Sequence, residues 1–239
     1  MIRTAFTMIT IIVMTFLCGL IIIILYPFGP YNKVTNKTAL IWAKSIVWAA
    51  GAKIELHGLD KIDFGKSYVF AGNHQSHIDV VSVFSILPLT VRYIAKKELF
   101  RIPLFGWAMA ASGTIKVDRS NREKAIKSIE QAGESIRNGV SVILFPEGTR
   151  SDDGEIHAFK KGAFVLATKS GVPVVPISIS GTRKILEKHS LKLKSGRVKI
   201  VISDPIESSN YKMEEREKFA NDVRQIIINN FDKDFNKGL

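Results

Sequence analysis

Residues Asn73-His74-Gln75-Ser76-His77-Ile78-Asp79 bring two histidines and one carboxylate together just past an apolar, β-branched run at Tyr68–Ala71. The carboxyl ends of strands are where α/β sheets carry their chemistry. In that position Asp79 would hold one ring N–H of His74 and fix its tautomer, leaving the other nitrogen to take a proton. The bland alternative is a satisfied surface histidine near a helix N-terminus. A metal reading of His74, His77 and Asp79 finds no further ligand cluster, and the single cysteine, Cys18, lies in a distant apolar run. No metal is expected.

A second group, Phe145-Pro146-Glu147-Gly148-Thr149-Arg150-Ser151, follows another strand-like run, Ser141–Phe145. Proline and glycine force an irregular turn there. The turn offers an acid, a hydroxyl and an arginine that could grip phosphate or carboxylate through two parallel hydrogen bonds. Alternatively Glu147 and Arg150 pair and close the turn, with Ser151-Asp152-Asp153-Gly154 a plain surface turn. A third stretch, Gly113–Arg119, ends a strand in charge. Upstream of it Lys96-Lys97-Glu98-Leu99-Phe100-Arg101 sets basic residues beside the apolar Leu104-Phe105-Gly106-Trp107.

The elements that must position these groups alternate. Strand patterns fall at Lys53–Leu56, Tyr68–Ala71, Val91–Ala95, Thr114–Val117, Ser141–Phe145, Val174–Ser178 and Val198–Ile202. Pro173 and Pro176 suit an edge or entry position. Between strands lie helical patterns. At 121–138 the Ser120…Glu123 spacing is that of a capping box, and Ile126, Ile129, Gly133 and Ile136 recur on one face. At 211–231 Phe219, Val223, Ile226 and Ile227 form a stripe. This alternation predicts an α/β domain with a mixed or largely parallel sheet flanked by helices.

The first 32 residues are different. Thr4–Asn32 is free of charge, and Ala5–Leu25 would make a helix of about 30 Å, the thickness of a bilayer's hydrocarbon core. A cleaved signal peptide fits poorly, since Tyr26-Pro27-Phe28-Gly29-Pro30 offers no small-x-small cleavage site. The expectation is a retained membrane anchor, with Tyr26 and Tyr31 at the interface. Lys33, Lys37 and Lys44 outnumber Arg3, which puts the catalytic portion on the cytoplasmic side. Residues 38–51, with Trp42 and Trp48, read as a short second helix that lies in the interface or packs on the domain. The predicted division is therefore 1–51, anchor and interfacial helix, and 52–239, catalytic domain. The chain of 239 residues carries a net charge of +12, and all but one unit of it follows the apolar run. An anionic partner is implied, with membrane surface, phosphorylated ligand and nucleic acid all open at this point.

Taken together, these motifs resemble the membrane-bound glycerolipid acyltransferases, in particular the 1-acylglycerol-3-phosphate O-acyltransferases. The resemblance rests on His74…Asp79 as the family's H-x4-D element, on Lys97-Glu98-Leu99 and Ile102-Pro103, and on Gly113…Asp118-Arg119. It continues in the full F-P-E-G-T-R-S wording at 145–151, Phe159–Ala163 and Val172–Pro176. It implies the glycerolipid acyltransferase fold, with an N-terminal membrane-embedded helix and a short second helix. It implies a fatty acyl transfer from acyl-CoA or acyl-carrier protein to the free hydroxyl of lysophosphatidic acid, giving phosphatidic acid for phospholipid biosynthesis, with no cofactor. His74 and Asp79 would be catalytic. Glu147, Gly148, Thr149 and Arg150, with Lys96, Lys97 and Arg119, would bind substrate, Arg150 first on the phosphate. Glu147 would hold the glycerol or Arg150. Backbone N–H groups near the His74 and Gly148 turns would form the oxyanion hole. The anchor would sit in a bacterial cytoplasmic (inner) membrane. The rivals are another lyso-lipid acceptor, such as a lyso-ornithine lipid, and a hydrolase, for which no G-x-S-x-G element stands in the sequence. A non-enzymatic nucleic-acid binder is opposed by the dispersed basic residues, so no nucleic acid is expected.

Overall fold

Seven strands pair into one sheet in the order β1-β7-β6-β2-β5-β3-β4. They are β1 (Ala52–His57), β2 (Val69–Gly72), β3 (Val91–Lys96), β4 (Ile115–Val117), β5 (Ser141–Leu144), β6 (Val174–Ser180) and β7 (Gly196–Ile202). Every neighbouring pair is parallel except β6–β7. The computed structural model describes residues 1–118 and 122–235, the side chains of 122–127, 130 and 131 excepted. All seven predicted strands are present, and the mixed, largely parallel sheet is as expected. The central strands β2, β5 and β6 are buried throughout, which is why they read as unbroken apolar runs rather than as alternation. Next to the edge strand β1, β7 alternates, with Val198, Ile200 and Ile202 buried.

Helices cover both faces. On one, α2 (Lys33–Ala50), α3 (His77–Ile86) and the short α7 (Thr182–Ile185) close a core around Phe70, Val91, Ile143 and Ile200. On the other, α5 (Arg122–Arg137), α6 (Gly162–Ser170) and α8 (Arg216–Asn230) pack over Val69, Val142, Val174 and Leu144. The α8 stripe is seated through Phe219, Val223 and Ile227. In α5, Ala132 and Ile136 are buried, while the proposed Ser120–Glu123 capping box lies outside the described residues. The proline expectation holds for Pro173, which stands at the entry to β6, and needs correction for Pro176, which lies within the strand. β6 is central, not an edge. Pro176 is tolerated because it faces β7 where that strand ends, its carbonyl accepting from Ser203 N–H at 3.0 Å. The ladder to β7 begins one residue later, at Ile177. Its missing N–H therefore costs no ladder bond.

The apolar N-terminal helix, α1 (Ile2–Ile24), is long and apolar enough to cross a bilayer. It does not stand away from the domain. Near its start, Leu193 N–H donates to Thr4 Oγ1 at 3.1 Å and Thr7 Oγ1 donates to Ala49 O at 3.0 Å. Midway, Trp42 Nε1 donates to Thr15 Oγ1 at 3.0 Å. Further on, a side chain at Gly19 would bring a Cβ to 3.4 Å of Ala108 Cβ on α4 (Phe105–Ala111), so the glycine permits the close approach of the two helices. Thr7, Cys18, Gly19 and Ile22 are buried against the protein, while Phe6, Ile9, Ile12, Phe16, Leu20 and Ile24 stay exposed. One side of α1 is thus domain surface and the other is bare hydrocarbon.

Of the two sequence readings of the second helix, packing on the domain is the one observed. α2 starts on an Asn32 cap, whose Oδ1 accepts from Thr35 N–H at 2.8 Å, and stops at Gly51 with φ +68°. Its Ala43, Ile46, Val47 and Ala50 belong to the sheet's core, while Ile41 and Trp48 remain exposed beside α1. The core on this face therefore joins both sides of the division drawn at residue 51. Buried Arg92 ties the hairpin down. It donates to Ser112 O, to Val91 O (2.7 Å), to Pro30 O (2.7 Å) and to Asn36 Oδ1 (2.6 Å). Burial pulls its guanidinium down to about 10. Tyr31 is turned inward, under Arg92 at 5.3 Å, while Tyr26 is exposed.

Candidate active site

His74 leaves the sheet just after β2, and its neighbours on both sides are fixed before its ring is. The Asn73 amide continues the sheet in place of backbone, donating to Ile179 O at 2.9 Å and accepting from Ile179 N–H at 2.8 Å. Ser76 caps α3, and Asp79 in the first turn completes a capping box. The Asp79 carboxylate is fully buried. Its Oδ2 accepts from Gln75 N–H (2.6 Å), from Ser76 N–H (2.8 Å) and from His74 Nδ1–H (2.9 Å). Two of these donors are backbone and cannot turn away. The carboxylate is thus held by the helix start, and it selects the tautomer in which Nε2 of His74 carries the lone pair.

The turn after β5 grips the same residue. Glu147 Oε1 accepts from His74 N–H at 2.7 Å, and Ser151 N–H donates to His74 O at 2.8 Å. Glu147 Oε2 accepts from His157 N–H at 3.2 Å. The buried carboxyl is pushed up by burial, with those two N–H groups opposing. Phe145 stacks on the His74 ring, centroids 4.2 Å apart and planes within 14°. Tyr93 stacks behind Phe145 at 6.3 Å and donates its hydroxyl to Val80 O, one residue past Asp79. The imidazole is therefore fixed on its edge by Asp79 and on its face by an aromatic row anchored to α3.

Several sequence expectations change in detail. Glu147 does not pair with Arg150; its carboxylate clamps the backbones of His74 and His157. Ser151–Gly154 is not a plain surface turn, since Ser151 and Gly154 are buried and Gly154 O accepts from the Gln75 side chain at 3.1 Å. The backbone N–H of His74 is taken by Glu147 and that of Gly148 by Phe145 O at 3.0 Å. The N–H groups of Thr149 and Arg150 bond to nothing among the described residues. Lys97 is drawn to Asp118 at 2.9 Å, while Lys96 is exposed at the site. Arg119 lies outside the described residues.

These groups head a cavity of about 480 Å³. His74, His77, Lys96, Gly148, Thr149 and Arg150 line one part of it. Cys18, Gly19 and Ile22 of α1, with Trp42, Phe84, Phe105, Ala108 and Met109, line an apolar part. The Arg150 side chain has no hydrogen-bond or carboxylate partner among the described residues. His77 is pushed down by loss of hydration, then by the charge of Arg150. Gly148 takes φ +77°, and Lys160 packs where its side chain would be, placing one more ammonium at the turn. No group of three or more metal-ligating side chains occurs among the described residues. Sequence reasoning missed Phe145, His77 and Lys160 as site residues. The only signal for Phe145 was its place at the end of a strand beside the Pro-Glu-Gly turn.

The site as built can take a proton at His74 Nε2 beside an unpaired cation and an apolar chamber. Comparison with known proteins agrees with that chemistry. The family pattern described as Acyltransferase matches residues 53–180. A chloroplastic 1-acyl-sn-glycerol-3-phosphate acyltransferase of Arabidopsis thaliana is 35% identical over 208 residues, 86% of this chain and 56% of that protein. The chain therefore spans little more than half of that relative's length. A 1-acyl-sn-glycerol-3-phosphate acyltransferase of Limnanthes alba is 31% identical over 89% of this chain and 75% of its own. The crystal structure of the 1-acyl-sn-glycerophosphate acyltransferase PlsC from Thermotoga maritima superposes with a TM-score of 0.75 at 26% identity, over 95% of this chain and 97% of that one. On sequence pattern, on relatives and on fold alike, this chain belongs to the acyltransferase family.

Proposed function

We propose that this protein is a membrane-bound O-acyltransferase that moves a fatty acyl group from an acyl thioester to the free hydroxyl of 1-acylglycerol 3-phosphate, forming phosphatidic acid. The observation that carries this reading is the His74–Asp79 pair, with Nε2 free, at the head of an apolar cavity beside unpaired Arg150. His74 Nε2 takes the proton of the acceptor hydroxyl as its oxygen attacks the thioester carbonyl. Asp79 steadies the imidazolium that forms. The tetrahedral intermediate expels the thiolate, and His74 returns the proton to it. Such general-base help is worth about 10²–10⁴ in rate. With the His74 and Gly148 N–H groups already engaged, those of Thr149 and Arg150 are the donors left for the oxyanion. Arg150 binds the acceptor's phosphate, with Lys96 and Lys160 adding charge. The apolar part of the cavity holds an acyl chain.

The donor is acyl-CoA or acyl-carrier protein, and the reaction as written uses no cofactor. α1, held to the domain near both ends and bare on its outer side, is embedded in the near leaflet. The basic surplus of the domain favours the cytoplasmic face of an inner membrane. The test is incubation of the purified protein with labelled acyl thioester and a panel of lyso-lipids, with His74→Ala as control. Labelled phosphatidic acid is expected from the wild type alone. Labelled product from a different lyso-lipid only would overturn the acceptor, and free fatty acid without lipid product would overturn the transfer itself.

A further inference from the structure

Between β3 and β4 the chain does more than connect strands. It forms a short 3-10 turn, Lys97–Arg101, then α4, and it exposes Leu99 to 38%, Ile102 to 46% and Trp107 to 63%. Isolated apolar side chains on a surface are ordinary. These are not isolated. α4 lies on α1, with Ala108 and Leu104 against Gly19, so its exposed side chains continue the bare face formed by Phe16, Leu17 and Leu20. Contiguous apolar surface of this kind marks an interaction site.

The backbone is bent to make this arrangement. Leu104 has φ +61° and ψ −57°, closing a tight turn in which Phe105 N–H donates to Pro103 O at 2.7 Å. That is the rare γ-turn, unfavourable for a residue with a side chain. The same Leu104 side chain is one that meets Gly19. Alongside, Lys96 and Arg101 are exposed with no acidic partner among the described residues. Leu99 and Lys96 also line the cavity. A tryptophan, branched apolar side chains and unpaired cations in one short segment form the composition of a bilayer's headgroup boundary.

We propose that residues 96–111 are a second bilayer contact, distinct from the α1–α2 hairpin. Ile102 and Trp107 enter the upper acyl region, Arg101 and Lys96 meet lipid phosphates, and a lipid acceptor passes Leu99 on its way to His74. The proposal rests on the membrane reading of α1, and its test separates the two. The chain has three tryptophans. Full-length W42F/W48F reports from Trp107 alone, and W42F/W107F reports from Trp48, which is exposed on α2 with its ring against Phe6 of α1. Each is reconstituted into phosphatidylcholine–phosphatidylglycerol vesicles carrying bromine on the acyl chains near the headgroup.

Quenching and a blue shift of both tryptophans are expected. Quenching of Trp48 without Trp107 overturns the second contact and leaves the anchor standing. Quenching of neither overturns the membrane reading itself. A functional arm uses I102E/W107E. Each apolar side chain withdrawn from lipid is worth roughly tenfold in partition. Turnover of vesicle-borne acceptor should fall about tenfold or more, while turnover of the same acceptor in detergent micelles stays at the wild-type level. Equal turnover on vesicles, or an equal loss in micelles, overturns the proposal.

Discussion

Glu147→Gln tests whether the acid of the Pro-Glu-Gly turn serves the substrate or the catalytic base. The wild-type carboxylate sits buried with one oxygen on His74 N–H at 2.7 Å and the other on His157 N–H at 3.2 Å. Glutamine has the same shape but only one acceptor. Its NH₂ must face one of the two backbone N–H groups, so one charge-assisted bond is lost and one buried donor is orphaned. Either loss is worth about 1–3 kcal/mol. Stability should fall by about that much, and His74, whose peptide is held from the same turn, should lose its fixed position. A comparable loss in the barrier step is a drop of about 10–100-fold in kcat. KM for both substrates should stay within twofold or so, because both Glu147 oxygens are taken by backbone N–H groups.

Initial rates over a grid of donor and acceptor concentrations, with thermal melts, decide it. A raised acceptor KM with kcat unchanged would refute the reasoning and return Glu147 to the glycerol. The pH dependence gives a second check. Burial raises the Glu147 carboxyl above its ordinary value, so the folded chain binds this proton more tightly than the unfolded one. Its contribution to stability is fully present below the unfolded carboxylate range and is lost as pH rises through the raised folded value. Glu147→Gln cannot ionise, so the melting temperature of the variant should lack that slope.

Asp79→Asn removes an acceptor shared by His74 Nδ1 and two backbone N–H groups; kcat should fall about 10²–10⁴-fold, and activity within threefold or so of wild type would remove Asp79 from the mechanism. Phe145→Leu keeps the cavity wall apolar but loses the stacked plane. It should lower kcat about tenfold with KM for the acyl donor unchanged, and Phe145→Tyr should restore kcat, whereas a shift in donor KM alone would make Phe145 mere lining. Arg150→Ala should raise the acceptor KM about 10–100-fold, the worth of one charge-assisted phosphate contact. Its melting temperature should be unchanged, because Arg150 holds no other side chain.

The strands were legible in the sequence because most are short apolar runs closed by Gly, Pro or Asp, and local pattern sets strand identity. The H-x4-D pair was legible because five residues across a helix start fix Asp79 near His74 whatever the rest of the chain does. The order of strands in the sheet was not legible, nor was the place of Pro176 beside the end of β7. Both depend on pairings between distant segments. The same holds inside the site. Glu147 lies 73 positions from His74, so no spacing rule tells whether its carboxylate meets glycerol, Arg150 or a backbone N–H. Lys96 and Lys97 are adjacent and chemically alike, yet the strand places Lys97 on Asp118 and leaves Lys96 at the cavity.

The sequence by itself determined the His74–Asp79 pairing, the apolar N-terminal helix long enough to cross a bilayer and the class of fold, since composition and short-range spacing are enough for each. Only the tertiary structure decided that α1 walls the cavity on one side and is bare and apolar on the other. It also decided that the second signature turn grips the His74 backbone while leaving the Arg150 side chain unpaired among the described residues. The physical reason is that burial and hydrogen-bond partnership are properties of packed surfaces, and a carboxylate among several nearby donors is assigned to one only when the chain has closed around it.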